Sequence, residues 1–173
     1  MKRFLLPLIA LVLSLFATSC GDNPILDVKE VTKSDLTSPL FLAFDNTLDE
    51  PVKKIWAFND KEAVKGTITV VSDDLLRIKS EWYFTSWSYS GKILSLTNDT
   101  EKKTYELNQV SVLGYNAISF GTTYVCVPSS NKSISGARYE DDWYSRGLNS
   151  NTFWEAIRKS NADGASVDFK LNK

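Results

Sequence analysis

From residue 38 onward, apolar and polar residues alternate in short runs, and clusters of turn formers separate the runs. The segments 40–44, 52–58, 66–71, 75–80, 82–89, 92–97, 104–112, 116–120 and 122–127 each predict a strand, because successive side chains of an extended chain point to opposite faces. Asp45-Asn46, Asn59-Asp60, Ser72-Asp73-Asp74, Ser90-Gly91, Asn98-Asp99 and Gly114 supply the turn chemistry between them. Turn signals at this close, regular spacing argue for antiparallel neighbours in a barrel or sandwich. One strand changes parity along its length. Tyr105 and Leu107 alternate with Glu106 and Asn108, and then Val110 and Val112 appear on the other parity, so a bulge or bend is expected around Asn108-Gln109.

After Pro128 the pattern changes. The stretch from Ser129 to Gly136 is a polar loop, and Thr152-Phe153-Trp154-Glu155 then fits a capping box with Thr152 as N-cap. That predicts a helix over about residues 153–160. Phe153 and Ile157 form its buried stripe, and Asn161-Ala162-Asp163-Gly164 stops it. Val167, Phe169 and Leu171 alternate with polar residues and predict a final edge strand. The expected fold is therefore mainly β, an antiparallel barrel or open sandwich with one short C-terminal helix, built as a single domain over residues 38–173.

The N-terminal segment follows a different logic. Lys2 and Arg3 precede an apolar run too short to span a bilayer comfortably, and small residues follow it, the arrangement of an export signal. Its end, Ala17-Thr18-Ser19-Cys20, resembles the lipobox of bacterial lipoproteins. The resemblance implies that residues 1–19 are a removed signal peptide and that Cys20 carries the lipid. Residues 20–37 are then a tether to the cell envelope. Gly21 after Cys20 fits delivery to the outer membrane, with the leaflet left open. Each buried methylene of such an anchor contributes about 0.8 kcal/mol, so acyl chains replace a spanning segment.

Composition removes whole classes of chemistry. The chain has no histidine, which excludes Ser/His/Asp and Cys/His nucleophile pairs and histidine-bound metal sites. Of 20 basic residues, Lys2 and Arg3 leave with the signal, against 21 acids, so no nucleic-acid partner is implied. With Cys20 acylated, Cys126 is the single thiol, in the apolar run Tyr124-Val125-Cys126-Val127, and no intramolecular disulfide can form. Carboxylate-only hydrolysis survives these exclusions, but no pair of acids stands out for it. No enzyme activity, cofactor or metal is expected.

Further along, Gly66-Thr67-Ile68-Thr69-Val70, Trp87-Ser88-Tyr89-Ser90-Gly91-Lys92-Ile93-Leu94-Ser95-Leu96, Lys103-Thr104-Tyr105-Glu106-Leu107 and Ile118-Ser119-Phe120 form a recurring pattern. Together they resemble the lipocalin-like small lipoproteins of Bacteroidetes-type bacteria, with Trp56 standing for the tryptophan of the opening strand. The resemblance covers about residues 52–121 and implies successive staves of one antiparallel barrel.

Two regions are candidate sites. Trp82, Tyr83, Trp87 and Tyr89 belong to the densest aromatic run and are candidate ligand-binding residues, suited to a sugar ring or an apolar molecule. Strict alternation places Trp82 with Phe84 on one face and Tyr83, Trp87 and Tyr89 on the other. Arg138, Tyr139, Trp143, Tyr144 and Arg146 lie in an expected loop and are candidate protein-contact residues. Glu140, Asp141 and Asp142 offer oxygen ligands for calcium, without the spacing of an EF-hand. The expected function is a membrane-anchored, non-catalytic binding module for a small apolar ligand, glycan or protein. The alternative is an accessory subunit of an outer-membrane complex.

Overall fold

The computed structural model describes residues 30–44, 47, 50–112, 115–121, 124–128 and 142–173. The expected signal segment, Cys20, Arg138, Tyr139, Glu140 and Asp141 lie outside the described residues. The elements are α1 (Lys33–Thr37), β1 (Leu42–Phe44), β2 (Val52–Phe58), β3 (Ala63–Ser72), β4 (Leu75–Phe84), β5 (Ser86–Ser90), β6 (Ile93–Thr97), β7 (Lys102–Val112), β8 (Tyr115–Phe120), β9 (Tyr124–Pro128), α2 (Ser150–Asp163) and β10 (Val167–Lys170). A helical turn at 142–145 precedes α2.

Every strand pairing is antiparallel, in the order β10-β4-β3-β2-β1-β9-β8-β7-β6-β5. One wall is β10-β4-β3-β2-β1, the other is β8-β7-β6-β5, and β9 links them by pairing with β1 and β8. Cys126 falls in this linking strand, in register with Phe44 and Ile118. The ladder does not close, because β10 and β5 are its ends, so the fold is open. The chain nevertheless folds the two walls against each other. β4 runs into β5 through Thr85 alone, and the bend is stitched by Asn98 Nδ2 donating to the Tyr83 carbonyl at 3.1 Å and Thr85 Oγ1 donating to the Thr97 carbonyl at 3.4 Å.

The first wall is buried on both faces at β1 and at residues 55–58 of β2, which explains why these stretches read as continuous apolar runs. Its inner face, with Leu42, Phe44, Trp56, Phe58, Ala63 and Phe84, packs on Leu94, Leu96, Leu107, Ile118 and Phe120 of the second wall. Trp56 centres this core, stacked on Phe120 at 5.5 Å and meeting Tyr105 edge-on at 5.8 Å. The outer face, with Ile55, Ala57, Val64, Ile68, Leu76 and Ile78, is covered by Phe153, Trp154 and Ile157 of α2. Both residues of the expected helical stripe, Phe153 and Ile157, are fully buried.

Three sequence expectations need correction. The helix begins earlier than residue 153, and its N-cap is Asn149. The Asn149 side chain accepts from the amides of Asn151 and Thr152, while Thr152 Oγ1 accepts from the Asn149 amide, so Thr152 is the third helical residue of the box. Of the bulge or bend expected near Asn108-Gln109, the bulge is absent from the register, which runs unbroken from Leu107↔Phe120 to Val112↔Tyr115. β7 changes partner after Glu106, from β6 to β8. A bulge does occur in β4, where Lys65 pairs with Trp82 and Gly66 with Ser80, leaving Glu81 as the extra residue. Finally, the tether does not extend to Thr37. Val31 and Leu36 are buried in the inner core, and a Thr32/Asp35 capping box fixes α1, so the domain reaches back to residue 31.

Candidate functional site

The bend at Thr85 re-sorts the aromatic run. Phe84 faces the inner core, and so do Trp87 and Tyr89, because one residue at the bend is used to turn the chain and the alternation restarts. Tyr83 alone of the run packs toward the outer core. Trp82 shares the inner face with Phe84 and is 39% exposed. Strict alternation fails here for a local reason, the break between β4 and β5.

Three of the four candidate ligand residues are occupied by structural contacts. Trp87 Nε1 donates to the Asn59 carbonyl at 2.8 Å, its ring meets Phe58 edge-on at 5.1 Å, and Lys33 Nζ sits 5.1 Å from its centroid. Tyr89 is half-buried at the edge of the inner core, and burial, with the nearby Glu30 and Asp35 charges, pushes its hydroxyl pKa up. Tyr83 donates to Glu62 Oε1. Glu62 is the hub of that contact. It takes a bidentate pair from Arg158, Nε to Oε1 at 3.0 Å and Nη2 to Oε2 at 2.6 Å, and Asn59 Nδ2 donates to it at 2.8 Å. The hydrogen bonds from Arg158 hold the Glu62 carboxyl down at about 2 against the opposing effect of burial. Burial first, and then the Glu62 carboxylate, push the Tyr83 hydroxyl up to about 12. The network ties the β2–β3 turn, β4 and α2 together, and its groups are committed to one another.

Trp82 has a different setting. Lys65 Nζ lies 4.7 Å and Lys103 Nζ 3.1 Å from its ring centroid, the first lysine from β3 of one wall and the second from β7 of the other. Lys103 also meets Glu101 at 3.2 Å. The indole therefore lies at the mouth between the walls, beyond the packed core. The next register row on the same face is Lys54, Thr67 and Lys79, with both lysines exposed. These lysines carry a readable signal. Lys54 and Lys65 occupy the parity of the inward-facing Trp56 and Ala63, where a core-only face would be apolar.

A cleft of about 400 Å³ lies on another side, between the segment after α1, the β2–β3 turn and the start of α2. Leu40, Phe58, Asn59, Asp60, Tyr144 and Trp154 line it. A second hollow of about 420 Å³ shares Asn59 and Trp154 and adds Glu155 and Arg158, the latter already paired with Glu62. Asp60 is the one carboxylate of the first cleft among the described residues, so no acid pair for hydrolysis converges there.

The candidate contact segment divides similarly. Trp143 is 3% exposed and packs its ring 6.1 Å from Phe41, so it is a core residue rather than a contact residue. Arg146 is a staple: Nε donates to the Asn172 carbonyl at 2.9 Å and Nη1 to the Asp73 carbonyl at 2.8 Å. The helical turn at 142–145 is what buries one aromatic and exposes the next. Tyr144 is 62% exposed and borders the cleft. Among the described residues, no group of three acids or thiols is placed to hold a metal, and no helix is long and apolar enough to cross a membrane.

No family model, no curated protein and no solved structure matches the chain.

Proposed function

We propose that this chain is a lipid-anchored protein of the cell envelope whose β-sandwich acts as a non-catalytic binding module, and that its recognition residue is Trp82. The observation that carries the reading is the contrast within the aromatic run. Trp87, Tyr83 and Tyr89 are built into the fold, whereas Trp82 presents 39% of its surface at the mouth between the walls. A rigid indole left open beside a packed core is the kind of surface that sugars and amphipathic ligands stack on. The core itself is filled by the Trp56 stack, which favours a ligand at the mouth over an apolar molecule enclosed between the walls.

The lipobox at 17–20 supports the anchor, and the succession of antiparallel neighbours, with β9 returning to β1, supports kinship with lipocalin-like lipoproteins. Metabolic labelling with a clickable fatty acid tests the anchor: the wild type takes the label and Cys20→Ser does not. A panel of envelope glycans and lipids tests the module. Binding that survives Trp82→Ala unchanged overturns the assignment.

Tyr144 supports a second reading, an accessory subunit of an envelope complex, because it is a largely exposed aromatic beside a cleft. Under that reading a stoichiometric partner is recovered from solubilised membranes and lost with Tyr144→Ala.

A further inference from the structure

The two hollows at the start of α2, of about 400 and 420 Å³, are each within the size range of a small-molecule site. Asn59, Ser150 and Trp154 belong to both, so the hollows adjoin as one groove with Trp154 in their common wall. Phe58 gives the first hollow an apolar side, and Tyr144, 62% exposed, stands at its border. Each hollow also contributes one carboxylate without a counter-ion. Asp60 lines the first and Glu155 the second, both are exposed, and among the described residues neither is ion-paired. Arg158 brings a cation to the second hollow, but Glu62 already takes its guanidinium through two hydrogen bonds. The Asn59 side chain is likewise committed, donating to Glu62 and accepting from the Lys61 and Glu62 amides. An aromatic ring, an apolar wall and two acids therefore remain open to a ligand.

We propose that the groove binds an aliphatic polyamine, with one ammonium group at Asp60 and Tyr144, the methylene chain against Trp154 and a second ammonium group at Glu155. A carboxylate supplies the opposite charge, and the face of an exposed phenol ring attracts a cation as well. An anionic ligand would meet two like charges. The N-terminus of α2 borders the groove and on its own favours an anion, but the Asn149 side chain already accepts from two of its amides. A neutral ligand would cover Asp60 without bringing a counter-charge. A compact cation would satisfy one acid and leave the other, whereas an extended chain with separated charges meets one in each hollow. The inference is independent of Trp82, and it gives the cleft beside Tyr144 a small-molecule occupant where the second reading above gives it a protein.

Titration calorimetry of the full chain in micelles of a zwitterionic detergent tests the proposal, with empty micelles as the blank. Spermidine and putrescine are expected to bind, less tightly at high salt, and butylamine, which carries a single ammonium group, about fivefold more weakly than spermidine. Asp60→Asn should weaken spermidine and butylamine alike by about fivefold, and Glu155→Gln should weaken spermidine by a similar factor while sparing butylamine. Both substitutions are at exposed positions and remove no native ion pair, so a loss of binding is not a loss of fold. Glu81→Gln, on the exposed β4 bulge, should change neither ligand. Butylamine that matches spermidine, or spermidine binding indifferent to Glu155→Gln, overturns the two-point ligand. Spermidine binding that survives both Asp60→Asn and Tyr144→Ala overturns the site. Absence of heat from every amine overturns the polyamine: maltotriose binding lost with Tyr144→Ala would then make the occupant a neutral sugar, and a partner protein lost with the same substitution would restore the second reading. None of these outcomes touches the assignment of Trp82, whose own test is Trp82→Ala.

Discussion

Gly66 and Glu62 are the residues on which local geometry bears hardest. A β-carbon on Gly66 would lie 2.3 Å from the Lys79 carbonyl oxygen, a backbone atom that the β4 bulge holds in place. Gly66→Ala is therefore expected to cost about 2–3 kcal/mol in urea unfolding, the scale of overpacking in a closed site. Gly91→Ala is the comparison, since that residue has nothing within 4 Å and pays only for its φ of 54°. It should lose about 1 kcal/mol. Equal losses would mean that the bulge yields. For Glu62, the carboxyl is held at about 2 in the folded protein against an ordinary 4.5. Its contribution is complete above about pH 4.5 and is lost as pH falls toward 2, because the unfolded chain takes the proton first. Glu62 is 18% exposed and Arg158 is 54% exposed, so screening reduces the full value of the shift to about 2 kcal/mol. Glu62→Gln should be less stable than the wild type by about that amount at pH 6, and by less than half of it at pH 3. A difference that is the same at both pH values would mean that the charge is irrelevant.

At the scale of elements, α2 depends on its cap. Asn149→Ala removes the acceptor for two amide groups, and should cost about 1 kcal/mol and speed hydrogen exchange at the Asn151 and Thr152 amides. Asn149→Asp should retain both. If Asn149→Ala leaves those amides protected, the helix starts elsewhere. The sequence favoured Thr152 because a Thr followed three residues later by Glu has the capping-box form, and Asn149 followed by Thr152 lacks the customary acid. The strands were easier to read. Positions 52–58 agree with β2 at both ends, and Val167, Phe169 and Leu171 marked the edge strand, since period-two alternation survives wherever a strand meets one core. Legibility failed where the backbone changes direction. The bend at Thr85 moved Trp87 and Tyr89 to the inner face, and the extra residue Glu81 re-phased β4, neither of which has a composition signal. The lysines around Trp82 were missed for another reason: charges on an inward parity read as solvated positions until the facing wall is in place.

At the scale of the molecule, two cores share one wall, and the N-terminal segment completes one of them. Leu36 is 1% exposed and Val31 3%, both against the inner core, while Lys33 reaches Trp87. Burial of a leucine to this degree makes its loss costly, so Leu36→Ala in the full chain is expected to lower stability by about 3 kcal/mol. Urea unfolding measures it, and a loss under about 0.5 kcal/mol, the level of a surface substitution, would mean that α1 is not docked in solution. The docking also bears on the proposed anchor. If Cys20 is the acylated residue, only the segment between it and Val31 remains as tether, and about ten extended residues reach no further than about 35 Å. Docked α1 thus holds the Trp82 mouth closer to the membrane than a tether running to Thr37 would. Inserting a flexible glycine-serine stretch before residue 30 should leave binding by the isolated protein unchanged and extend how far from a supported bilayer the domain captures an immobilised ligand. Capture distance that is indifferent to the insertion would mean that the domain is not held by its N-terminus.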